Sequence, residues 1–178
     1  MIVYVDKNKN LDPKPAAFYY QLPEGVEAEV FSAAFEGFSV CTSVEVRGVI
    51  VLKRPEDLGD EAAFSPTAPV SLLLTADDTA DELSAIIAKQ PIANVVIYVA
   101  DFKDGRVFSL VRGLRLAGFA QDILVAGKFG FDQASYFYKS GVSGFVIAED
   151  KLELLSHTLG DLKTAYEGRS VKRLPLFS

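Results

Sequence analysis

From Pro69 onward, short β-branched and apolar runs alternate with longer stretches in which apolar residues recur every three or four positions. The pairs are VSLLLTA with DDTADELSAIIAKQ, NVVIYVA with DGRVFSLVRGLRLAG, DILVAG with FDQASYFYKSG, and GFVIAE with DKLELLSHTLGDLKTAYEG. An unbroken apolar run suits a strand buried on both faces, and 3.6-residue spacing suits a covering helix. Four such units in succession predict an α/β fold with parallel strands near 70–75, 95–100, 122–126 and 144–148. Sequential units place neighbouring strands in order, as in part of a (β/α) barrel (TIM-barrel-like); a flavodoxin-like open sheet is the alternative.

The helix assignments rest on periodicity and on end signals. At about 100° per residue, Val107, Leu110, Val111, Leu114 and Ala117 share one arc, the core face. Arg112 and Arg115 fall opposite, with Phe108 between them. Asp104 stands where an N-cap belongs, and Gly118 with Phe119 has the form of a Schellman stop. In the last helix the stripe is Leu152, Leu155, Leu159, Leu162 and Tyr166, with Asp150 capping its start and Gly168 just past its end.

Residues 1–54 have another character. MIVYV, AFYYQL and VEVRGVIVLK read as strands, separated by turns that carry Pro13, Pro15, Pro23 and glycines. The expectation is a single domain over 1–178, with a β-rich N-terminal segment (1–54) and a βα-unit region (69–168). The N-terminal strands would extend or cap the sheet. An incomplete barrel leaves edges to be covered by that segment or by a second subunit, so a homodimer is expected. The tail GRSVKRLPLFS reads as a loosely held end.

Composition narrows the possibilities. The chain has 178 residues, 49% of them hydrophobic, enough for one sizeable core. Its formal net charge of −6 argues against bulk attraction to nucleic acid or to an anionic membrane. Cys41 is the single cysteine, which excludes an intrachain disulfide and a Cys-rich zinc or iron–sulfur site; a small buried role is expected for it. His157, inside the last helix, is expected at the surface or half-buried. The start shows no basic segment ahead of an apolar run, and no apolar run reaches the length of a membrane span, so a cytoplasmic protein is expected.

Candidate chemistry gathers at the carboxyl ends of the predicted strands, where parallel α/β domains bind ligands. That edge carries Asp77 and Asp78; Asp101, Asp104, Gly105 and Arg106; Gly127, Lys128, Gly130 and Asp132; and Glu149 and Asp150. Arg106 is unusual, because a cation in the first turn of a helix opposes the helix dipole. Either Arg106 pairs with Asp101 or Asp104, or a bound anion reverses the sign. The anion-site reading combines Asp104, Gly105, Arg106, Gly127 and Lys128 around a small oxyanion, with Arg106 pointing across the edge towards Gly127 and Lys128. Asp77, Asp101 and Glu149 could offer oxygen ligands to Mg²⁺, but carboxylates at such places are more often caps, as Asp78 and Asp150 would be, and no metal site is assigned. Arg112 and Arg115, with Ser109 beside them, suit a solvated or partner-docking face; no base stands near to make Ser109 a nucleophile. GKFGFD lacks the glycine triplet of a dinucleotide fingerprint, so no cofactor follows from motif.

These residues carry a resemblance. FKDGRVFSLVRGLRLAGF followed by AGKFGFDQASYFYKSGVSGF is similar to the bacterial DUF934 family, whose members carry F-x-D-G-R-G-[YF]-S-x-A-R-x-L-R…G-[YF] and later R-A-V-G-D-x-x-x-D-Q and R-C-G-F-D-A-F. The matches are Phe102, Asp104, Gly105, Arg106, Phe108, Ser109, Arg112, Leu114, Arg115, Gly118, Phe119, Gly127, Asp132, Gln133, Gly141 and Phe145, a coverage of roughly residues 70–150. The resemblance implies an uncharacterised protein tied to sulfite reduction, with an oxidoreductase label that rests on gene association. Sulfite reductase components are the partners it implies. The chain departs from the pattern at Leu124 and Lys128, which replace Arg and Asp, and over Lys139, Ser140, Gly141, Val142 and Ser143, where the family's cysteine is missing. A cysteine-based redox role is therefore not expected, and Lys128 makes the strand-end edge more basic. Two functions follow as expectations: an enzyme, or former enzyme, that holds an oxyanion at the strand ends, and a non-catalytic accessory protein that docks through its arginine face.

Overall fold

The protein is described by a computed structural model over residues 1–21, 35, 38–41, 49–58 and 69–167. Its strands are β1 (Ile2–Val5), β2 (Leu11–Lys14), β3 (Ala17–Gln21), β4 (Ser39–Cys41), β5 (Val49–Lys53), β6 (Val70–Leu74), β7 (Ile92–Val99), β8 (Asp122–Gly127) and β9 (Gly144–Val146). The helices are α1 (Ala80–Lys89), α2 (Arg106–Leu116), α3 (Ala134–Ser140) and α4 (Leu152–Glu167), with 3-10 turns at Pro55–Leu58, Phe131–Gln133 and Glu149–Lys151. All nine strands form one open sheet in the order β2-β1-β9-β8-β7-β6-β5-β3-β4. From β4 through β3, β5, β6, β7 and β8 to β9 every pairing is parallel, whereas β1 joins β9 and β2 joins β1 antiparallel.

The four βα units behave as their pattern predicts: β6, β7, β8 and β9 lie side by side in sequence order. Right-handed crossovers between strands stepping in one direction put every connecting helix on the same face. Leu83 of α1, Val107, Leu110, Val111 and Leu114 of α2, Phe137 of α3, and Leu155 and Leu159 of α4 accordingly share one core with Leu72, Leu74, Val95, Ile97, Ile123 and Val125. The alternate strand positions, Leu52, Leu73, Val96, Tyr98, Leu124 and Ala126, point to the opposite face and pack with Ile2, Phe18 and Tyr20. Among the described residues the α-helices lie on one face, over strands in sequential order, which makes a curled half-barrel rather than a doubly wound flavodoxin-like sheet.

The N-terminal strands extend the sheet at both ends. Gly144 lets β1 lie close to β9, because a Cβ there would meet Val3 O at 2.6 Å. The outer strand β2 is blunted by Pro13 and by the exposed Asp12–Lys14 ion pair (3.2 Å), as suits an edge. At the far side, Arg54 at the end of β5 grips Asp78 with two donors (Nη1 to Oδ2 2.8 Å, Nη2 to Oδ1 3.2 Å) and donates from Nη1 to Leu73 O. Burial opposes the charge on Arg54, but Asp78 and Glu56 more than restore it and hold its pKa above the ordinary value.

Several end signals differ from the sequence reading. Thr79, not Asp78, caps α1 by accepting from Glu82 N, while Asp78 accepts from Thr75 N at 2.7 Å and closes the turn after β6. Asp150 lies inside the 3-10 turn ahead of α4, and that turn has no side-chain cap bond. Ala117 is exposed at the C-cap of α2 instead of joining the core stripe. The Schellman stop is present: Gly118 has φ 89°, its N–H donates to Arg115 O, and Phe119 N–H donates to Leu114 O. Cys41 falls in β4, and the side chains of Leu162 and Tyr166, like Gly168, lie outside the described residues.

Candidate functional site: a cleft at the strand ends

The turn after β7 decides what Arg106 can do. Asp101 Oδ1 accepts from Lys103 N, and Asp104 Oδ1 accepts from Arg106 N at 3.1 Å, so a carboxylate stands at the open start of α2 where the dipole favours it. The Arg106 side chain folds back over that carboxylate. Its Nε and Nη2 donate to Asp104 (2.7 Å from Nη2 to Oδ2), and its Nη1 donates to Asp77 Oδ1 at 2.8 Å. The cation at the wrong helix end is thus neutralised by two carboxylates. Donating to the Asp104 and Asp77 carboxylates holds the Arg106 pKa above its ordinary value, and accepting from Arg106 pulls the Asp104 pKa below its own.

This geometry corrects the expected direction of Arg106. Asp77 follows β6, on the opposite side of β7 from β8, so the guanidinium leans away from Gly127 and Lys128 instead of across to them. The five residues read as one anion site are divided: Asp104, Gly105 and Arg106 form one cluster, and Gly127 and Lys128 belong elsewhere. The oxygen-ligand trio is also apart, since Asp77 is engaged by Arg106, Asp101 by the Lys103 backbone, and Glu149 lies beyond β9. Among the described residues no three His, Cys, Asp or Glu side chains gather as metal ligands would.

Gly127 and Lys128 line a cleft of about 560 Å³ on the face opposite the described α-helices, at the carboxyl ends of β7, β8 and β9. Gly127 has φ 90°, and a Cβ there would meet Val99 O at 2.5 Å and the Tyr98 ring at 2.9 Å, so only glycine lets the turn close against β7. Lys128 N donates to Val99 O at 2.7 Å, and Phe129 then enters the helix-side core against Phe137 and Phe145. That dive leaves Lys128 exposed at the rim of the cleft. The wall is aromatic: Tyr98 meets Phe35 and Phe38 edge to face at 5.2 and 5.9 Å, and Phe18 meets Phe38 at 6.0 Å. Small side chains, Ala17, Ala126 and Ala148, keep the space open. Of these residues only Gly127 and Lys128 were legible as site candidates. Tyr98 carried a weak signal, as a phenol inside an otherwise aliphatic strand.

The arginine face also divides. The side chains of Arg112 and Ser109 are exposed on α2 and make no hydrogen bond or ion pair with any described residue. Arg112 lines a shallow groove of about 670 Å³ with Phe108, Asp132, Gln133, Tyr136 and Lys139. Arg115 is turned inward. Its Nε donates to Gly141 O (2.9 Å), Nη1 to Phe119 O and Gln121 O (2.8 and 2.7 Å), and Nη2 to Ser143 Oγ (3.1 Å). Burial lowers its pKa against the opposing pull of Asp122. Arg115 therefore clamps the ends of α2 and α3 to the start of β8. Gln133 is likewise internal in function, accepting from Gly130 N and donating to Phe102 O. His157 is exposed on α4.

Fold and cleft together define an α/β half-barrel protein with an aromatic-walled cleft at its strand ends. Residues 71–177 match the family described as "Bacterial protein of unknown function (DUF934)". That span covers more than half of the 178-residue chain, and the chain belongs to the DUF934 family. The match runs beyond residue 150 to take in α4, and it omits the N-terminal strands. No curated protein and no solved structure matches. No helix among the described residues is long and apolar enough to cross a membrane.

Proposed function

We propose that this protein is a binding protein that holds a small oxyanion-bearing ligand in the strand-end cleft, with Gly127 and Lys128 at the anion. The observation that carries the reading is that Gly127 and Lys128 are among the described residues that line the strand-end cleft, while Arg106 is turned towards Asp77 and Asp104. The position agrees with the general rule that half-barrel and barrel folds bind at the carboxyl ends of their strands. The DUF934 resemblance supplies the biological setting, sulfite reduction, and makes sulfite the first anion to try. The oxidoreductase label belongs to that setting too. The groups lining the cleft bind and orient; a redox step would draw its electrons from a partner or a cofactor.

The test is thermal unfolding in sulfite. A ligand that binds the folded state raises the melting temperature according to its concentration over its affinity. Wild type and Arg106→Ala are expected to show the same sulfite-dependent rise, and Lys128→Met none. A rise kept in Lys128→Met and lost in Arg106→Ala contradicts the reading.

A second reading is favoured by the exposed, unpaired Arg112 with Ser109 beside it: a docking face for a component of a sulfite reductase system. Co-purification with such components should be lost in Arg112→Glu and unaffected by Lys128→Met. Retention by Arg112→Glu contradicts it.

A further inference from the structure

The helix layer carries two grooves of opposite character, and neither shares a described lining residue with the strand-end cleft. One is the groove between α2 and α3, where Tyr136 stands out from α3 with 63% of its surface exposed. Arg112 borders it on α2, and Lys139 Nζ lies 5.9 Å from the centre of the Tyr136 ring. Asp132 is the acid in its described lining. The other is a groove of about 620 Å³ between the outer strand β2 and the start of α4. Its apolar lining comes from Leu11, Pro13 and Leu152, and its charged border from the exposed Glu149, Asp150 and Glu153. Asp150 shares its charge with Lys151 at 3.7 Å, which leaves Glu149 and Glu153 as the stronger part of that border. The most exposed large hydrophobic side chains among the described residues are Phe102, Leu116, Tyr136 and Leu154, and each belongs to the helix layer or to the turn that enters it. Large apolar side chains left in water beside charges on one layer mark a surface that meets another protein.

We propose that the two grooves meet between copies of this chain: Tyr136 of one copy seats in the β2–α4 groove of a second, with Arg112 and Lys139 set against Glu149 and Glu153. The occupant is a second copy because the chain itself carries both complementary halves. One half is an aromatic anchor with a cationic border, the other an apolar slot with an anionic border. A tyrosine in an apolar pocket supplies affinity, and the charges around it fix orientation. The contact also covers β2, the strand that ends the sheet on that side. The two patches differ, so the contact is heterologous, and the assembly either extends or closes as a ring. The face is that of the second reading, and a reductase component docked on Arg112 would compete with the second copy for it.

Sedimentation velocity of the full chain tests this, with circular dichroism confirming that each variant is folded; Tyr136 and Glu153 are both exposed, so their replacement leaves the core intact. Wild type is expected to self-associate with a Kd on the order of 10–100 μM, as suits a small transient contact. The association should weaken as salt is raised from about 0.1 to about 1 M. Tyr136→Ala and Glu153→Lys should each weaken it at least about tenfold. Mixed together, the two variants should form a one-to-one complex of near wild-type affinity, because each supplies the surface that the other lacks. Wild type that stays monomeric to about tenfold above that Kd range overturns the proposal. So does association that survives both substitutions, or a mixture no more associated than either variant alone. Both variants keep Arg112, Gly127 and Lys128, so such a failure leaves the cleft reading and the reductase reading to their own tests.

Discussion

The side chain of Arg115 occupies the space that a side chain at Gly141 would need: a Cβ there would lie 2.8 Å from Arg115 Cγ and 3.2 Å from its Nε. The same guanidinium nitrogen donates to Gly141 O. Gly141 also carries φ 114°, the left-handed ending of α3. Two independent reasons thus demand glycine, and only one of them involves Arg115. Arg115→Ala leaves carbonyls at Phe119, Gln121 and Gly141 short of a donor and should cost about 2 kcal/mol in denaturant unfolding. Gly141→Ala should cost about 1–3 kcal/mol. In the Arg115→Ala background the steric part vanishes, so the double variant should be at least about 0.5 kcal/mol more stable than the sum of the single changes implies. Strict additivity would contradict the packing described.

Glycines elsewhere give a graded comparison. Gly144→Ala forces a Cβ to within 2.6 Å of Val3 O and should pry β1 from β9, at about 1–3 kcal/mol. Gly105 has open space around its Cβ position and an ordinary φ of −69°, so Gly105→Ala should stay within about 0.5 kcal/mol of wild type. Equal effects of the two substitutions in urea unfolding would count against the placement of β1.

Much of this was written in the pattern of the chain. The βα alternation located β6, β7, β8 and β9 within a few residues, because a strand buried on both faces must be apolar throughout and a one-faced helix must repeat every 3.6 positions. β2 was not legible: LDPK carries an edge strand through a proline, which sequence reading takes for a turn. The helical wheel placed Arg115 opposite the core stripe, but a wheel records the direction of Cα–Cβ and not the reach of a long side chain that folds back to neighbouring carbonyls. The cleft was half legible. Gly127 and Lys128 stand out at a strand end, whereas Phe18 and Phe38 come to Tyr98 only through strand order, with β3 two strands removed from β6.

The Asp104–Arg106 pair gives a pH dependence of known sign. The Asp104 pKa is lower folded than unfolded, so the carboxylate contributes stability above its unfolded value, and that contribution is lost as pH falls through the lower folded value. Carbon-detected titration of the Asp104 carboxyl should give a value below the ordinary carboxylate range in wild type, moving up towards it in Arg106→Gln. Arg106→Gln should also reduce the loss of stability on acidification without changing the response to sulfite. An unshifted Asp104 in wild type would contradict the paired geometry.

The central claim is that a small anion binds in the strand-end cleft at Gly127 and Lys128. Its most direct test is a ¹⁵N–¹H correlation spectrum of the full chain recorded through a sulfite titration. The expected result is saturable shifts of the Gly127, Lys128 and Ala148 amides, with Arg106 Nε–H unmoved and the amide response abolished by Lys128→Met. Shifts centred on Gly105 and Arg106, or saturable shifts at Gly127 that persist in Lys128→Met, would contradict the account.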